Sequence, residues 1–194
     1  MAHDTTGHLY RLFADLLDYP SPALARQAHE ATAGAATAQS DALLSQFCTF
    51  VEQASPARLE ELYTGTFDLQ AVCYPYVGYH LFGDSYKRSM FMAQLNGGYR
   101  DRGFSPGNEL PDHVAVILRF LATAPGDPFS QALLHDGLIP ALEAMVGAFD
   151  DHSDNPYAGV LRALLLALKD PDDLTSPPLC PLCPSWLDHF ERCE

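Results

Sequence analysis

Basic residues are scarce in this chain. Its 194 residues include 11 lysines and arginines against 25 aspartates and glutamates, which gives a formal net charge of −14 at pH 7. A field of this sign repels phosphate groups, so we expect no binding to DNA or RNA and none to an anionic membrane surface. The same charge suits a basic peptide or protein as a partner.

Long apolar runs are also missing. The longest, such as Leu164–Leu168, are far shorter than the roughly 20 residues that a membrane-spanning helix needs. The start, Met1–Gly7, has no basic region followed by an apolar one, so we expect no secretory signal. The five cysteines are an odd number, which argues against a disulfide framework. We therefore expect a cytoplasmic protein that is not inserted in a membrane.

Common enzymatic motifs are absent as well. The sequence has no Gly-x-x-x-x-Gly-Lys-Ser/Thr phosphate loop, no Gly-x-Gly-x-x-Gly, no Gly-x-Ser-x-Gly elbow and no His-Glu-x-x-His pair. A binding protein is therefore expected rather than an enzyme. A small-molecule enzyme with Asp112 and His113 as an acid–base pair is the weakest alternative.

What the chain has is enough apolar material for a core. Apolar residues make up 47% of it and charged residues 19%, which excludes an intrinsically disordered chain. Apolar residues recur with the helical period in nearly every segment, as at Leu9, Leu12, Phe13 and Leu16. This predicts an all-α, single-domain bundle of about eight or nine helices over residues 1–169. A Pro/Asp-rich linker and a cysteine-containing tail, residues 170–194, follow it.

Helix starts are predicted where a capping residue precedes proline. The pairs are Ser21-Pro22, Ser55-Pro56, Asp127-Pro128 and Asn155-Pro156. Ser40 is predicted to cap a further helix, and another is expected to begin near Pro111. A helix is also expected from about Asp84 to Arg102. Pro140 lies inside a helical pattern, so it should kink that helix or restart it.

The middle of the chain is rich in aromatic residues. Ten lie between Tyr63 and Phe104, together with four basic residues. One interpretation is a core with tyrosine hydroxyls at its rim. The other is a groove, because tyrosine offers an apolar body with a polar tip that suits a partly apolar peptide.

An acidic element, Glu109-Leu-Pro-Asp-His113, follows this segment. It can be a plain helix start, with Pro111 at the first helical position and Asp112 in the first turn. Alternatively, its carboxylates receive an arginine or lysine of a bound peptide. His113 is either a partner of Asp112 or a core histidine with its hydrogen bonds satisfied.

Four motifs together resemble the TorD/DmsD/NarJ family of chaperones, which assist molybdenum-containing oxidoreductases. They are Tyr63-x-x-x-Phe67-Asp68-Leu69, Pro75-Tyr76-x-Gly78-Tyr79-x-Leu81-Phe82-Gly83, Arg88-x-x-Phe91-Met92-x-x-Leu95 and Glu109-Leu-Pro-Asp-His113. The last is the most specific, and its Glu-Leu-Pro-Asp form looks most like the NarJ branch. The resemblance covers about residues 5 to 168.

The resemblance implies a non-catalytic, cytoplasmic chaperone without a permanently bound cofactor. Such a chaperone binds the N-terminal leader of an apo-enzyme catalytic subunit and holds that subunit until the molybdenum cofactor is inserted. The resemblance does not identify the client enzyme. It is compatible with either a monomer or a helix-swapped dimer. The matching client-binding positions are Tyr76, Gly78, Tyr79, Leu81, Phe82, Arg88, Glu109, Asp112 and His113.

The C-terminal tail departs from the family pattern. Cys180, Cys183, His189 and Cys193 are spaced C-x2-C-x5-H-x3-C, and such a set offers four ligands to a zinc ion. One alternative function is therefore a metal-binding or redox-sensing regulator built on these cysteines. The other interpretation is an extended tail with free thiols.

Overall fold

The chain is helical along most of its length. The computed structural model describes residues 2–34, 37–69, 71–149 and 154–169. These residues hold no β-strand, only an isolated antiparallel bridge between Tyr76 and His113, so the predicted all-α class is confirmed. The helices are α1 (Ala2–Leu16), α2 (Leu24–Ala33), α3 (Ala38–Gln53), α4 (Pro56–Phe67), α5 (Val77–Phe82), α6 (Tyr86–Asp101), α7 (Val114–Leu121), α8 (Pro128–Ala132), a π-helical segment (Leu133–Leu138), α9 (Ile139–Gly147) and α10 (Pro156–Leu168).

Three of the predicted helix starts are confirmed. Ser55, Asp127 and Asn155 each accept a hydrogen bond from a backbone amide in the first turn of the helix that follows. Each cap satisfies an amide that has no partner inside the helix. Proline comes next in all three cases, at a position where its missing N–H removes no helical hydrogen bond.

Two other predicted caps are wrong. Ser21 accepts a hydrogen bond from the Ala23 amide within a turn, and α2 begins only at Leu24 without a side-chain cap. At α3 the cap is Thr37, whose extended backbone lets its hydroxyl accept from the Ser40 amide. Ser40 itself lies inside the helix and is buried.

Pro140 restarts the helix through a widened turn. The run from α8 through the π-helical segment to α9 is continuous, and Pro140 stands in the first turn of α9. Proline lacks an N–H and its ring crowds the carbonyl four residues earlier. The wider π-helical turn immediately before it relieves that conflict. Counted as one helix, this run brings the described helices to nine, within the predicted range.

Helix α7 lies at the centre of the core. Seven of its eight side chains are buried. The exception is Arg119, which forms ion pairs with Asp15 and Asp18 at 3.5 and 2.5 Å. These pairs join α7 to the C-terminal end of α1, which packs beside it.

The short helix α5 was not predicted, because six residues are too few to show a helical period. It packs against α6, α9 and the π-helical segment. It carries most of the aromatic motif Pro75–Gly83, so its position determines where that motif lies. No helix in the described part of the chain has the length and apolar character to cross a membrane.

Candidate functional site

The aromatic motif and the acidic element meet through their backbones. The Val77 amide donates to the Asp112 carbonyl and the Val114 amide donates to the Pro75 carbonyl, each at 2.8 Å. The pairing sets Tyr76 opposite His113. Two segments that are distant in sequence are thereby held side by side.

This pairing also explains why α7 begins later than predicted. The backbones of Asp112 and Val114 are engaged across the bridge, so neither Pro111 nor Asp112 enters the helix. The helix starts at Val114 with His113 as its N-cap. The helix-start interpretation therefore places this element too early by three residues.

A buried ion pair lies behind the bridge. Arg88 Nε of α6 donates to Asp112 Oδ2 at 2.8 Å, and a terminal guanidinium nitrogen donates to Oδ1 at 3.4 Å. The Asp112 side chain is 0% exposed and that of Arg88 is 16% exposed. The Asp112 carboxylate thus has its cationic partner inside the chain, and a client arginine would have to displace Arg88 to reach it.

Gly78 leaves the space in which this pair is packed. A Cβ atom at this position would lie 2.8 Å from Asp112 Oδ2, 2.8 Å from Phe91 Cδ1 and 3.1 Å from Arg88 Cγ. Carbon contacts in well-packed interiors lie near 3.5–4.0 Å. Glycine in this motif is therefore a packing requirement for the ion pair.

Tyr76 covers the outer side of the pair. Its ring lies 5.1 Å from the Arg88 guanidinium carbon and meets the His113 ring edge to face at 5.7 Å. Partial burial raises the pKa of its hydroxyl, and the negative charges of Glu109 and Asp112 raise it further. The side chain is half-buried, so one part of it remains accessible at the surface.

His113 is a core histidine. Its side chain is buried, and ring Nδ1 accepts from the Ala115 amide at 3.2 Å. The second nitrogen, Nε2, therefore carries the proton of the neutral ring. Burial lowers the pKa of the ring, although the nearby carboxylates of Glu109 and Asp18 act in the opposite direction. Of the two alternatives for this residue, the structure favours the capped core histidine over a partner of Asp112.

The other aromatic-motif residues have separate neighbours. Tyr79 meets Tyr74 edge to face at 4.7 Å, and Phe82 meets Phe91 of α6 at 5.8 Å. Leu81 packs partly buried against the core. Tyr76, Tyr79 and Phe82, three of the expected client-binding residues, thus contact different aromatic neighbours.

Two exposed carboxylates, Asp68 and Glu109, and the half-buried Asp18 lie near the Tyr76–His113 pair. Glu109 and Asp68 both act on the pKa of its hydroxyl, and Glu109 and Asp18 both act on the adjacent His113. We define the acidic face as Asp18, Asp68, Tyr76 and Glu109. Apolar side chains next to it in sequence are exposed: Leu69 is 70% exposed and Leu110 is 44% exposed.

Part of this face was not found from sequence. Asp18 follows α1 and reaches the face because Arg119 of α7 binds it, a contact between residues far apart in the chain. Asp68 and Leu69 end the first of the four family motifs, but no role was predicted for them. No local pattern marks Asp18, whereas the Asp68-Leu69 pair after an aromatic helix was a usable signal.

The candidate zinc ligands of the tail cannot be placed. Cys180, Cys183, His189 and Cys193 lie outside the described residues. The proposed domain boundary at residue 169 and the regulator built on these cysteines concern the same segment. Within the described part, Cys73 is a buried free thiol whose pKa burial raises to about 12.

Comparison with known proteins gives concordant results. Residues 31–162 match the family model described as nitrate reductase delta subunit. The nitrate reductase-like protein NarX of Mycobacterium tuberculosis, in strains CDC 1551/Oshkosh and H37Rv, is 29% identical over 150 residues, 77% of this chain. The chain spans only 22% of the length of those relatives.

A solved structure supports the fold. It is a redox enzyme maturation protein from Archaeoglobus fulgidus, which aligns with a TM-score of 0.59 and 22% sequence identity. The alignment covers 85% of this chain and 94% of that one. Together with the family match over most of the chain, this agrees with the motifs that carry the resemblance. The chain belongs to the nitrate reductase delta subunit family of NarJ/TorD-type chaperones, whose members are maturation factors and not enzymes.

Proposed function

We propose that this protein binds the N-terminal leader of the catalytic subunit of an apo molybdenum oxidoreductase. It holds that subunit in the cytoplasm until the molybdenum cofactor is inserted and the complex assembles. The observation that supports this most is the acidic face, where the exposed carboxylates of Asp68 and Glu109 act on one half-buried tyrosine and the half-buried Asp18 acts on the adjacent His113. The family membership supports the same role.

The charge of the face suits a basic leader. Asp68 and Glu109 act on Tyr76, and Asp18 acts on the adjacent His113, in a chain whose net charge is −14. An arginine or lysine of the leader would form charge-assisted hydrogen bonds with the carboxylates of Asp68 and Glu109, whereas the Asp18 carboxylate is already paired with Arg119. Because the carboxylates of Asp68 and Glu109 are exposed, each contact should contribute only about 0.2–1 kcal/mol and should weaken with salt.

Apolar contacts should supply most of the affinity. Leu69 and Leu110 are exposed beside the acidic carboxylates, and Tyr74 is 39% exposed next to Tyr79. A leader with an amphipathic helix would cover such side chains with its apolar face. Burial of this surface would provide about 25 cal/mol per Å2 before the cost of ordering the leader.

The buried motif residues have a different role in this proposal. Gly78, Arg88, Asp112 and His113 hold the bridge and the start of α7 in place. Direct contact with the leader falls to Tyr76, Tyr79, Asp68 and Glu109, while Asp18, paired with Arg119, adds negative charge beside them. We call Gly78, Arg88, Asp112 and His113 the frame. The acidic element thus contributes Asp112 and His113 to the frame and Glu109 to the contact surface.

Calorimetric titration tests this assignment. The probe is a synthetic peptide of about the first 30 residues of a molybdopterin oxidoreductase catalytic subunit from the same organism. Glu109→Gln should weaken binding by about 1.4-fold to fivefold, because it removes one exposed charge without a change in shape. The loss of affinity with added salt should also become shallower.

Glu30→Gln is the matched control. Glu30 is an exposed glutamate of α2 that pairs with Arg26, so the substitution changes the net charge by the same amount at another surface. This variant should bind as the unmodified protein does. Equal affinities for Glu109→Gln and Glu30→Gln, with both proteins folded, would remove the acidic face from the binding site.

A further inference from the structure

Three metal-ligating side chains meet between α2 and α3, which pack side by side. Cys48 and Glu52 are four residues apart on α3 and so share one face of that helix. His29 reaches them from α2. The ring nitrogen, the thiol sulfur and a carboxylate oxygen all lie within 4.8 Å of one another, and His29 Nε2 is 2.7 Å from Glu52 Oε1.

The three ligand atoms need only modest side-chain adjustment to form a tetrahedral metal centre. Bond lengths of about 2.0–2.3 Å from zinc to nitrogen, oxygen and sulfur place neighbouring ligand atoms about 3.3–3.8 Å apart. The His29 and Glu52 side chains are 62% and 49% exposed, so they have room to adjust. Cys48 is buried and would provide the fixed ligand.

The surroundings of the Cys48 thiol also fit a cation. Glu52 lies one helical turn from Cys48, so its carboxylate and the thiol can contact one ion together. Thiolate and imidazole together are ligands that zinc favours over magnesium or calcium.

We propose that His29, Cys48 and Glu52 form a zinc site that joins α2 to α3, with water in the fourth position. Such a site has three protein ligands and one open position. It is separate from the acidic face and from the four candidate ligands of the tail. Its occupancy should stabilise the folded chain, because the unfolded chain does not hold the three ligands together.

Cobalt(II) is the probe that distinguishes the ligand sets. The full chain is stripped of metal with a chelator, kept reduced and titrated with Co2+, and the near-ultraviolet thiolate-to-cobalt absorption is recorded. One equivalent should bind with that band and be displaced by one equivalent of Zn2+. Zn2+ should also raise the thermal midpoint of unfolding.

Variants assign the site. His29→Gln and Glu52→Gln change exposed side chains, and each should lower the affinity for the bound Co2+ at least tenfold. Cys48→Ser should remove the thiolate-to-cobalt band of this site. Cys73→Ser changes the other buried free cysteine among the described residues and should leave Co2+ binding at this site unchanged. Cys180→Ser combined with Cys183→Ser tests the tail and should leave it intact as well.

Two results would overturn the proposal. One is the lack of a thiolate-to-cobalt band in the unmodified chain. The other is a band that survives unchanged in His29→Gln, Glu52→Gln and Cys48→Ser, whether or not the tail substitutions abolish it. Because His29 and Glu52 are exposed, their variants keep the test decisive even if Cys48→Ser fails to fold.

Discussion

Replacement of Gly78 by alanine is expected to destabilise the protein although the site is helical. In an exposed helix, alanine in place of glycine gains about 0.5–1 kcal/mol. At Gly78 the added Cβ would meet the Asp112 carboxylate and the Phe91 ring at 2.8 Å. Neither neighbour can yield easily, because Phe91 is 1% exposed and Asp112 is bound by Arg88.

The magnitude follows from these contacts. An extra methyl group in a packed interior costs about 1–3 kcal/mol, which exceeds the gain in helix propensity. Displacement of the Asp112 carboxylate would add to the cost, because it weakens a buried ion pair. We therefore expect Gly78→Ala to lower the free energy of unfolding by about 1–3 kcal/mol.

Gly97→Ala is the matched control. Gly97 lies within α6, and no atom lies within 4 Å of a Cβ built there. Its substitution should raise the free energy of unfolding by about 0.5–1 kcal/mol. Urea unfolding followed by helical circular dichroism measures both variants. A Gly78→Ala protein as stable as Gly97→Ala would refute the packing of Asp112 and Phe91 against this glycine.

Two further predictions concern the frame. Asp112→Asn should lower the free energy of unfolding by about 3–5 kcal/mol in urea denaturation, because it leaves the Arg88 charge partly buried without its partner. The double variant with Arg88→Met should recover part of that loss. A double variant as unstable as Asp112→Asn would contradict the ion-pair explanation. The free energy of unfolding should also fall as the pH drops below about 6.5, because burial lowers the pKa values of His113 and His80. Below that pH the unfolded chain binds more protons than the folded chain. The loss should reach up to about 1.4 kcal/mol per pH unit for each histidine. His113→Asn, which keeps a side-chain acceptor for the Ala115 amide, should make that pH dependence shallower in the same assay, and an unchanged slope would argue against a buried neutral ring at this position.

The helix starts show how far local sequence chemistry reaches. Ser55, Asp127 and Asn155 were identified as caps because each is followed by proline, and both residues act within one turn. Pro111, which was expected near the first position of α7, lies outside that helix because a contact between distant segments competes with it. The Asp112 carbonyl and the Val114 amide pair with the 75–77 segment, and no pattern within residues 109–114 contains that information.

The candidate site divides in the same way. Arg88 and Asp112 could each be named from the motifs, but their partnership joins positions 24 residues apart. From sequence, Asp112 was read as an acceptor for a client, because a carboxylate beside aromatic residues has the right chemistry for that. Its burial and its pairing with Arg88 depend on where α6 packs, which the local sequence does not determine.

The buried frame has a consequence for how variants of this site should be interpreted. The acidic face is assembled from residues after α1, after α4 and before α7, and the Tyr76–His113 bridge fixes two of these segments relative to each other. Substitutions at Gly78, Arg88 or Asp112 should therefore reduce leader affinity and stability together. Substitutions at Asp68 or Glu109, whose side chains are exposed, should reduce affinity while the free energy of unfolding stays within about 0.5 kcal/mol of the unmodified protein. Weak leader binding by a frame variant is thus no proof of direct contact until its stability has been measured, and a frame variant of unchanged stability that still loses the leader would show that the buried pair opens to receive it.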